Sequence, residues 1–284
     1  MTVTAIALVA HHQRTGAPLY ARTAADWCAA RGFHFWMPRA DAQALSLGEH
    51  ADDLPLDQAD LVLSLGGDGT MLRSVRLLGG APVPLLGVDL GTLGYLTEVE
   101  PDRLADALDR FVAGPKAGEW HFDERMLLDV EIAGRETQRA LNEVIIEKSE
   151  SAHTVRLLAR LDGVPFTHYA ADGLIVATPT GSTAYALSAR GPIVSPRHRA
   201  MLLTPVSPHM LFDRTLVLDP SEAVEIEIAG DRRADVAIDG QHAATLREGE
   251  IVRCTPSAET ARFVRFGAYH YHQVLKAKFG LSDR

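Results

Sequence analysis

Residues 61–70 read Leu-Val-Leu-Ser-Leu-Gly-Gly-Asp-Gly-Thr and continue into Met-Leu-Arg-Ser-Val-Arg-Leu-Leu at residues 71–78. The apolar run predicts a buried strand over residues 60–65, and the following run predicts a helix over residues 70–78. A helix that starts directly after a strand presents free backbone N–H groups and the positive end of its dipole at the turn. The glycines let that backbone approach a phosphate closely. The stretch therefore predicts a strand–turn–helix unit with a phosphate site at its turn.

Asp68 lies in the middle of this glycine turn. A carboxylate repels a phosphate, so Asp68 is not expected to be a phosphate ligand. It suits a base that faces a hydroxyl group, or a metal ligand among phosphates. The turn is therefore interpreted as a place where a phosphoryl group meets an alcohol.

The first 113 residues repeat this alternation of strand-like and helix-like segments. Further strands are expected over residues 3–10 and 84–88, and further helices over residues 18–31 and 101–113. This order predicts an α/β domain, residues 1–113, with a largely parallel sheet.

Residues 114–266 are rich in short strand-like segments separated by turns. Strands are expected over residues 126–133, 139–148, 155–161, 173–178, 215–218, 223–228, 234–238, 250–254 and 261–266. The segment Val224–Ile228 alternates strictly between apolar and acidic residues, which is typical of a half-buried strand. Many such strands predict an all-β, sandwich-like domain over residues 114–266. A helix is expected over residues 269–279, and residues 267–284 are predicted to pack back on the first domain.

The amino-acid composition is that of a globular protein and argues against several kinds of partner. The 284 residues are 46% hydrophobic and 23% charged, as in soluble globular proteins, and the formal net charge is −9. A nucleic-acid partner is not expected, because such surfaces are usually basic. Cys28 and Cys254 form no metal-binding or disulfide pattern, which favours a cytoplasmic location. No apolar run approaches the ~18 residues of a membrane span, so no membrane partner is expected.

A second informative segment runs from Asp172 to Tyr185. A buried strand, residues 173–178, leads into Thr-Pro-Thr-Gly-Ser-Thr-Ala-Tyr at residues 178–185, and a helix is expected from residue 184. The clustered hydroxyl groups suit phosphate and ribose oxygens, but they equally suit an ordinary helix N-cap. Asn142-Glu143 and Asp239-Gly240-Gln241, taken alone, read as solvated strand positions and as a hairpin turn.

Together these segments resemble the NAD kinase family, whose members phosphorylate the 2′-hydroxyl of the adenosine ribose of NAD. The resemblance rests on residues 66–70, 142–143, 172–185 and 239–241, in the order and spacing of that family, and it covers most of the chain. The segment at residues 178–185 is the most specific part, because lipid kinases share the glycine–aspartate turn. Arg190 departs from the family pattern, since a glycine is common at this position.

The resemblance implies a role for each matched residue. Asp68 would be the catalytic proton acceptor. The residues implied to bind the two nucleotides are Gly66, Gly67, Gly69, Thr70, Arg73, Asn142, Glu143, His153, Asp172, Thr183, Ala184, Tyr185, Ala186, Leu187, Ser188 and Gln241. Within this set, Gly66 to Thr70 would shape the loop beside the ATP phosphates, and Asn142 and Glu143 would hold the adenosine part of NAD. Asp172 would meet the nicotinamide side.

The family also implies Mg²⁺ or another divalent cation with ATP, and a homodimer or homotetramer. No residue of the chain is predicted to be a dedicated metal ligand, and His11-His12 is read as a pair of loop histidines. Two alternatives remain beside an NAD kinase. One is a diacylglycerol or sphingoid lipid kinase with the same turn, and the other is a non-catalytic dinucleotide-binding regulator.

Overall fold

The computed structural model describes residues 3–91, 94–150, 153–267 and 271–281. Contacts divide the chain into two compact units. The first unit comprises Met1–Glu124 and Ala261–Arg284, and the second comprises Arg125–Thr260. The domain boundaries after residues 113 and 266 stay predictions.

The first unit is built on a parallel sheet. Its strands are β1 (Ala5–Ala10), β2 (His34–Pro38), β3 (Ala51–Asp52), β4 (Leu61–Gly66) and β5 (Leu85–Asp89). They lie in the order β3-β2-β1-β4-β5, with every pair parallel. A later strand, β17 (Ile251–Phe266), ends in this unit and pairs in parallel with β5 through Phe263 and Leu85.

Helices of the first unit follow the strands. They are α1 (Ala17–Ala29), α2 (Arg39–Ala44), α3 (Asp68–Leu78), α4 (Leu104–Ala117) and α6 (Tyr271–Lys278), with 3₁₀ turns at Gly48–His50, Leu56–Gln58 and Pro101–Arg103. Helix α1 buries small residues at helical spacing, among them Ala17, Ala21 and Cys28, against the apolar strands. Helix α3 begins two residues earlier than predicted, because Gly67 adopts an extended N-cap conformation with φ −132°. This places Asp68 in the first helical turn.

Strand order in the first unit reverses between β1 and β4. Strands β2 and β3 lie on one side of β1, whereas β4 and β5 lie on the other. The carboxyl ends of these two neighbours meet where the N–H of His11 donates to the carbonyl of Leu65 at 2.9 Å. In α/β sheets, ligands bind outside the carboxyl ends of strands at such a reversal point.

The second unit is an antiparallel β-sandwich. Its elements are β6 (Trp120–Ile132, which starts in the first unit), β7 (Gln138–Ala140), β8 (Glu143–Lys148), β9 (Val155–Leu161), β10 (Val164–Ala171), β11 (Gly173–Ala177), α5 (Tyr185–Ser188), β12 (Met201–Val206), β13 (Leu216–Leu218), β14 (Val224–Ile228), β15 (Ala234–Ile238) and β16 (Gln241–Leu246), with a 3₁₀ turn at Thr180–Thr183. One sheet follows the order β10-β9-β14-β17, with β6 beside β17 and β7 beside β6. The other follows the order β13-β12-β11-β8-β15-β16.

A single apolar core joins the two sheets of the sandwich. Leu157 and Ile226 come from the first sheet, and Val176 and Val236 come from the second. All four side chains are fully buried. The predicted fold class, an α/β part with a largely parallel sheet and an all-β sandwich, is confirmed.

Some predicted elements differ from the structure. The single strand expected over residues 139–148 is divided into β7 and β8, and the strands expected over residues 250–254 and 261–266 are one continuous strand, β17. Helix α2 and strands β10 and β12 were not predicted. The C-terminal helix is present, and the Lys278 ammonium lies 5.5 Å from the centre of the Tyr95 ring. Tyr269, the expected first residue of this helix, lies outside the described residues.

The helices of the described ranges are too short or too polar to span a bilayer.

Candidate active site

The Asp68 carboxylate is fixed by two backbone amides. Its Oδ2 accepts the N–H of Tyr95 at 3.0 Å, and its Oδ1 accepts the N–H of Leu96 at 2.9 Å. A carboxylate offers about four lone-pair directions, so each oxygen can still accept another hydrogen bond. Asp68 therefore has a defined orientation and spare acceptor capacity.

Gly94 makes this close approach possible. A Cβ at this position would lie 2.3 Å from Asp68 Oδ1 and 2.7 Å from Thr97 Oγ1. The same segment is held from the end of β5, where the Asp89 carboxylate accepts the N–H groups of Gly91 and Gly94. A larger residue at position 94 would displace the carboxylate or the segment.

Arg265, which no sequence pattern indicated as a site residue, holds the backbone of residues 95–97. Its side chain is only 1% exposed, and it donates to the carbonyls of Thr97 at 3.0 Å and Tyr95 at 3.4 Å. Glu98 and Asp123 accept further bonds from the guanidinium at 3.0 and 3.3 Å. These partners are 142 to 170 residues away in the chain, so no local pattern could have identified Arg265.

A cavity of about 380 Å³ opens at the reversal point of the first sheet. Its walls come from the loop after β1 and from the start of α3, and they consist of Ala10, His11, His12, Gln13, Gly69, Thr70 and Arg73. The ring Nδ1 of His11 is buried and has no hydrogen-bond partner among the described residues. His11 lies in the loop after β1, as the sequence predicted, and it forms part of the cavity wall.

Arg73 is held in this cavity wall by Asp41, a buried residue of α2. Two parallel bonds of 2.8 Å join its guanidinium to the Asp41 carboxylate, which also accepts the N–H of Ala10 at 2.9 Å. Gly66 is required nearby, because a Cβ there would lie 2.1 Å from Thr70 Oγ1. The predicted residues Gly66, Gly69, Thr70 and Arg73 therefore meet at one place.

In the second unit, Asp239 organises the segment Leu141–Glu143. Its carboxylate accepts three backbone N–H groups, from Leu141 at 2.8 Å, Asn142 at 2.7 Å and Glu143 at 3.1 Å. Asp239 and Gly240 have φ values of 46° and 75°, as in the tight β15–β16 turn that the sequence predicted. Sequence reasoning identified the turn but not this use of its carboxylate.

Glu143 is a buried carboxylate with an unused oxygen. Burial raises its pKa to about 7, the negative charge of Asp239 adds to the rise, and a hydrogen bond from the Tyr185 backbone opposes it. Its Oε2 is buried without a partner among the described residues. Such an acceptor suits a hydroxyl or amino group of a ligand.

Hydroxyl groups of the segment after β11 mainly hold the backbone. Thr178 Oγ1 donates to the carbonyl of Leu141 at 2.5 Å, and Ser182 Oγ bonds both the carbonyl and the N–H of Val194. Gly181 packs directly on Asn142, because a Cβ there would lie 2.1 Å from the Asn142 carbonyl oxygen. The segment is thereby fixed beside Asn142 and Glu143. The resemblance assigns both this segment and that pair to one nucleotide pocket, which requires them to lie close together.

Tyr185, at the start of α5, is 40% exposed beside two carboxylates. Burial of its hydroxyl group, followed by the charges of Glu147 and Asp172, raises the pKa of Tyr185. Asp172 is paired with Lys148 at 2.5 Å. Asn142, Glu143, Tyr185 and Asp172 therefore surround one region of the second unit.

Two predicted residues stand apart from this group. His153 is exposed and makes no hydrogen bond or ion pair within the described ranges. Gln241 is exposed in the hairpin of Asp239, where its side-chain amide donates to the neighbouring Gly240 carbonyl at 3.4 Å. Their predicted contacts with the dinucleotide stay predictions.

Comparisons with known proteins agree with this geometry. The family model for the ATP-NAD kinase N-terminal domain matches residues 6–116, and the model for the ATP-NAD kinase C-terminal domain matches residues 141–266. The chain belongs to the NAD kinase family. The NAD kinase of Citrifermentans bemidjiense is 37% identical over 270 residues, which cover 91% of this chain and 92% of that protein.

Solved structures of NAD and NADH kinases share the fold. An NAD kinase from Archaeoglobus fulgidus in complex with ATP aligns with a TM-score of 0.72 and 25% identity over 98% of both chains. Yeast NADH kinase complexed with NADH aligns with a TM-score of 0.85 and 24% identity, over 100% of this chain and 90% of that chain, a likeness of fold. The lipid kinase and the non-catalytic regulator find no support in these comparisons.

Proposed function

We propose that this chain transfers the γ-phosphoryl group of ATP to the 2′-hydroxyl of the adenosine ribose of NAD, which yields NADP. The family supports the reaction, and the geometry of Asp68 carries the assignment to specific atoms. Its carboxylate is oriented by the N–H groups of Tyr95 and Leu96 and keeps free lone pairs. An oriented acceptor at a helix start is what an attacking hydroxyl needs.

Asp68 acts as the proton acceptor of this reaction. The transition state of phosphoryl transfer is largely loose, so the attacking hydroxyl needs orientation more than early ionisation. The 2′-hydroxyl donates its proton to the free lone pair of Asp68 while its oxygen attacks the γ-phosphorus, and ADP leaves. A positioned base of this kind contributes about 10²- to 10⁴-fold in rate.

The donor phosphates are assigned to the cavity at the reversal point of the first sheet. Gly66, Gly67 and Gly69 let the phosphates approach the start of α3, and Thr70 lies in the wall. Arg73 lies in the same wall, and the Asp41 carboxylate fixes the orientation of its guanidinium. His11 Nδ1 is a buried ring atom in the wall of this cavity, and it has no hydrogen-bond partner in the part of the chain that the structure describes.

Mg²⁺ is assigned to the ATP phosphates. Proteins usually hold this ion with one or two carboxylates plus substrate phosphates, and Asp68 is the predicted site residue of that kind in the first unit. Within the described ranges, no group of three His, Cys, Asp or Glu side chains forms a metal site. Bound there, the ion would neutralise phosphate charge.

The acceptor dinucleotide is assigned to the second unit. Asn142 and Glu143 hold the adenosine part, and residues 183–188, with Tyr185 among them, line the pocket. Asp172 faces the nicotinamide side, while His153 and Gln241 complete the site. Glu143 Oε2 is the strongest support, because a buried carboxylate oxygen requires a donor.

We also assign the protein to the cytoplasm, as a homodimer or homotetramer. Cys28 and Cys254 are both free and buried, as expected in a reducing compartment. Light scattering after gel filtration measures the number of subunits.

The activity test uses purified protein with Mg-ATP and NAD, and NADP is measured with an NADP-dependent dehydrogenase. Asp68→Asn should lower kcat by about 10²-fold or more, because the amide is no base and sets its NH₂ against a backbone N–H. Asp57→Asn, an exposed residue of a 3₁₀ turn, is the control and should keep full activity. Absence of NADP with the wild-type protein would refute the proposed function.

The same variants separate a base from a metal ligand. A base role predicts that Asp68→Asn lowers kcat at every Mg²⁺ concentration. If turnover instead recovers to within a few-fold of wild type at high Mg²⁺, Asp68 is a metal ligand.

A further inference from the structure

A second cavity, of about 550 Å³, lies wholly within the sandwich unit. Tyr185 and Ser188, two residues of the predicted dinucleotide pocket, form part of its wall. Arg190, Ser207, Met210 and Asp213 contribute to the remainder. Nothing in the reaction described above uses Arg190.

Arg190 occupies a backbone conformation that favours glycine. Its φ is 65°, in the left-handed region that long side chains rarely adopt. Ser207, in the same wall, has a φ of 46°. Two of the six non-glycine residues with positive φ in the described ranges thus line one cavity. At Arg190 this conformation ends helix α5, where the N–H of Gly191 donates to the carbonyl of Ala186 at 2.8 Å and the N–H of Arg190 donates to that of Leu187 at 2.9 Å.

The Arg190 guanidinium has no hydrogen bond or ion pair within the described part of the chain. The acidic residue of the wall, Asp213, has its own partner in Arg214, at 3.4 Å. The cavity therefore presents an uncommitted cation beside the hydroxyl-bearing residues Ser188 and Ser207. Guanidinium groups bind phosphate oxygens through two parallel hydrogen bonds.

We propose that Arg190 binds the diphosphate of NAD and so extends the dinucleotide pocket into this cavity. The proposal rests on the proposed function, because Tyr185 and Ser188 join the cavity to the assigned NAD site. The diphosphate is the anionic part of NAD, and a cation in the wall is its natural partner. The 2′-phosphate of the product NADP has the same chemistry and is the alternative that the experiment must separate.

Arg190→Gly is the informative variant. Glycine accepts a φ of 65° without strain, so the substitution removes the side chain while it relieves the backbone. The dissociation constant for NAD, measured by isothermal titration calorimetry, should rise by roughly ten- to a hundredfold. The kcat should stay within about twofold, because the contact is the same in ground and transition states.

Three controls refine the result. Ser46→Gly relieves a φ of 57° at an exposed site of the first unit and should leave NAD binding unchanged. Arg190→Gln keeps the backbone strain but removes the charge, and it should weaken NAD binding as Arg190→Gly does. Adenosine, which lacks phosphate, should bind equally to all variants.

The outcomes are distinct. Equal weakening of NAD and NADP supports the diphosphate contact, whereas weakening of NADP alone overturns it in favour of the 2′-phosphate. Unchanged NAD binding in Arg190→Gly or Arg190→Gln overturns the inference and leaves the proposed function intact if the wild-type protein makes NADP. Failure of the wild-type protein to make NADP refutes the function itself.

Discussion

Glu143 holds its carboxyl group where ionisation is unfavourable. Burial raises its pKa from 4.5 to about 7, with a further contribution from Asp239. Within the residues described, its Oε2 has no partner, so little compensates the charge. Near neutral pH the free protein therefore contains Glu143 in both protonation states. A nucleotide hydroxyl that donates to Oε2 would favour the ionised state.

The stability of the free protein should respond to this residue. A carboxyl whose pKa is raised on folding contributes stability that is fully present below its unfolded pKa and is lost as the pH rises through the folded pKa. Relative to Glu143→Gln, the wild-type protein should lose up to about 3 kcal/mol of unfolding free energy between pH 4.5 and pH 8.

Urea denaturation of both proteins at several pH values measures this difference. Glu248→Gln, at an exposed position of the same unit, is the control and should give a flat difference. A flat difference for Glu143→Gln as well would show that Glu143 does not titrate with a raised pKa.

At the scale of elements, the Asp68 carboxylate, the proposed proton acceptor, depends on a segment between β5 and α4. Its amides at Tyr95 and Leu96 hold Asp68, while its carbonyls at Tyr95 and Thr97 accept bonds from Arg265. The peptide backbone therefore connects the position of Arg265, a buried residue of β17, to that of Asp68 at the start of α3. Arg265 is a positioning residue, because it acts through the segment.

Arg265→Lys should lower kcat by about tenfold with little change in the KM for NAD. Lysine keeps the charge but loses the planar fork that reaches two carbonyls and two carboxylates. Arg262→Lys is the matched control in the same strand, since Arg262 is 38% exposed and pairs with Glu124 at 3.2 Å.

Steady-state kinetics and thermal unfolding of both variants provide the test. A purely structural role for Arg265 would lower the melting temperature and leave kcat of the folded enzyme unchanged. That result would contradict positioning.

Sequence patterns predicted the helices and strands better than they predicted the hydrogen-bond partners of individual side chains. Strands β9 and β15 were predicted with their observed bounds, because short apolar runs between turns define both ends. Strands β10 and β12 were missed, since Pro165 and Pro205 argue against a strand and only pairing with neighbours overrides them.

Among the site residues, those in local sequence motifs were predicted, and those defined by distant contacts were not. Asp68 and Glu143 stand in local motifs, whereas Asp41 and Arg265 act through partners 31 to 170 residues away. Asp41 and Arg265 carry no local signature. The predicted strand over residues 139–148 failed for a related reason, because the amides at its centre bind Asp239 rather than a neighbouring strand.

At the scale of the whole molecule, each unit has its own apolar core and one buried thiol. Cys28 belongs to the core of the first unit and Cys254 to that of the second. Burial raises the pKa of both thiols to about 12. Since the thiolate is the reactive form, both should be inert in the native protein.

Native protein at pH 8 should therefore react with Ellman's reagent at least about a hundredfold more slowly than protein unfolded in guanidinium, which should yield two thiols. Cys28→Ser and Cys254→Ser assign each reaction to one core. Rapid labelling of a single-cysteine variant in the native state would show that the corresponding core opens readily.

The bond from Asn142 to Asp239 spans 97 residues and so has a consequence for synthesis of the chain. At about 5–20 residues per second, roughly 5 to 20 seconds separate the translation of these two residues. Throughout that interval the amides of residues 141–143 lack their acceptor, and the proposed adenosine pocket has no fixed shape. If residues 142 and 143 bind the nucleotide as proposed, a nascent chain acquires its ability to select that nucleotide late, when the β15–β16 hairpin closes.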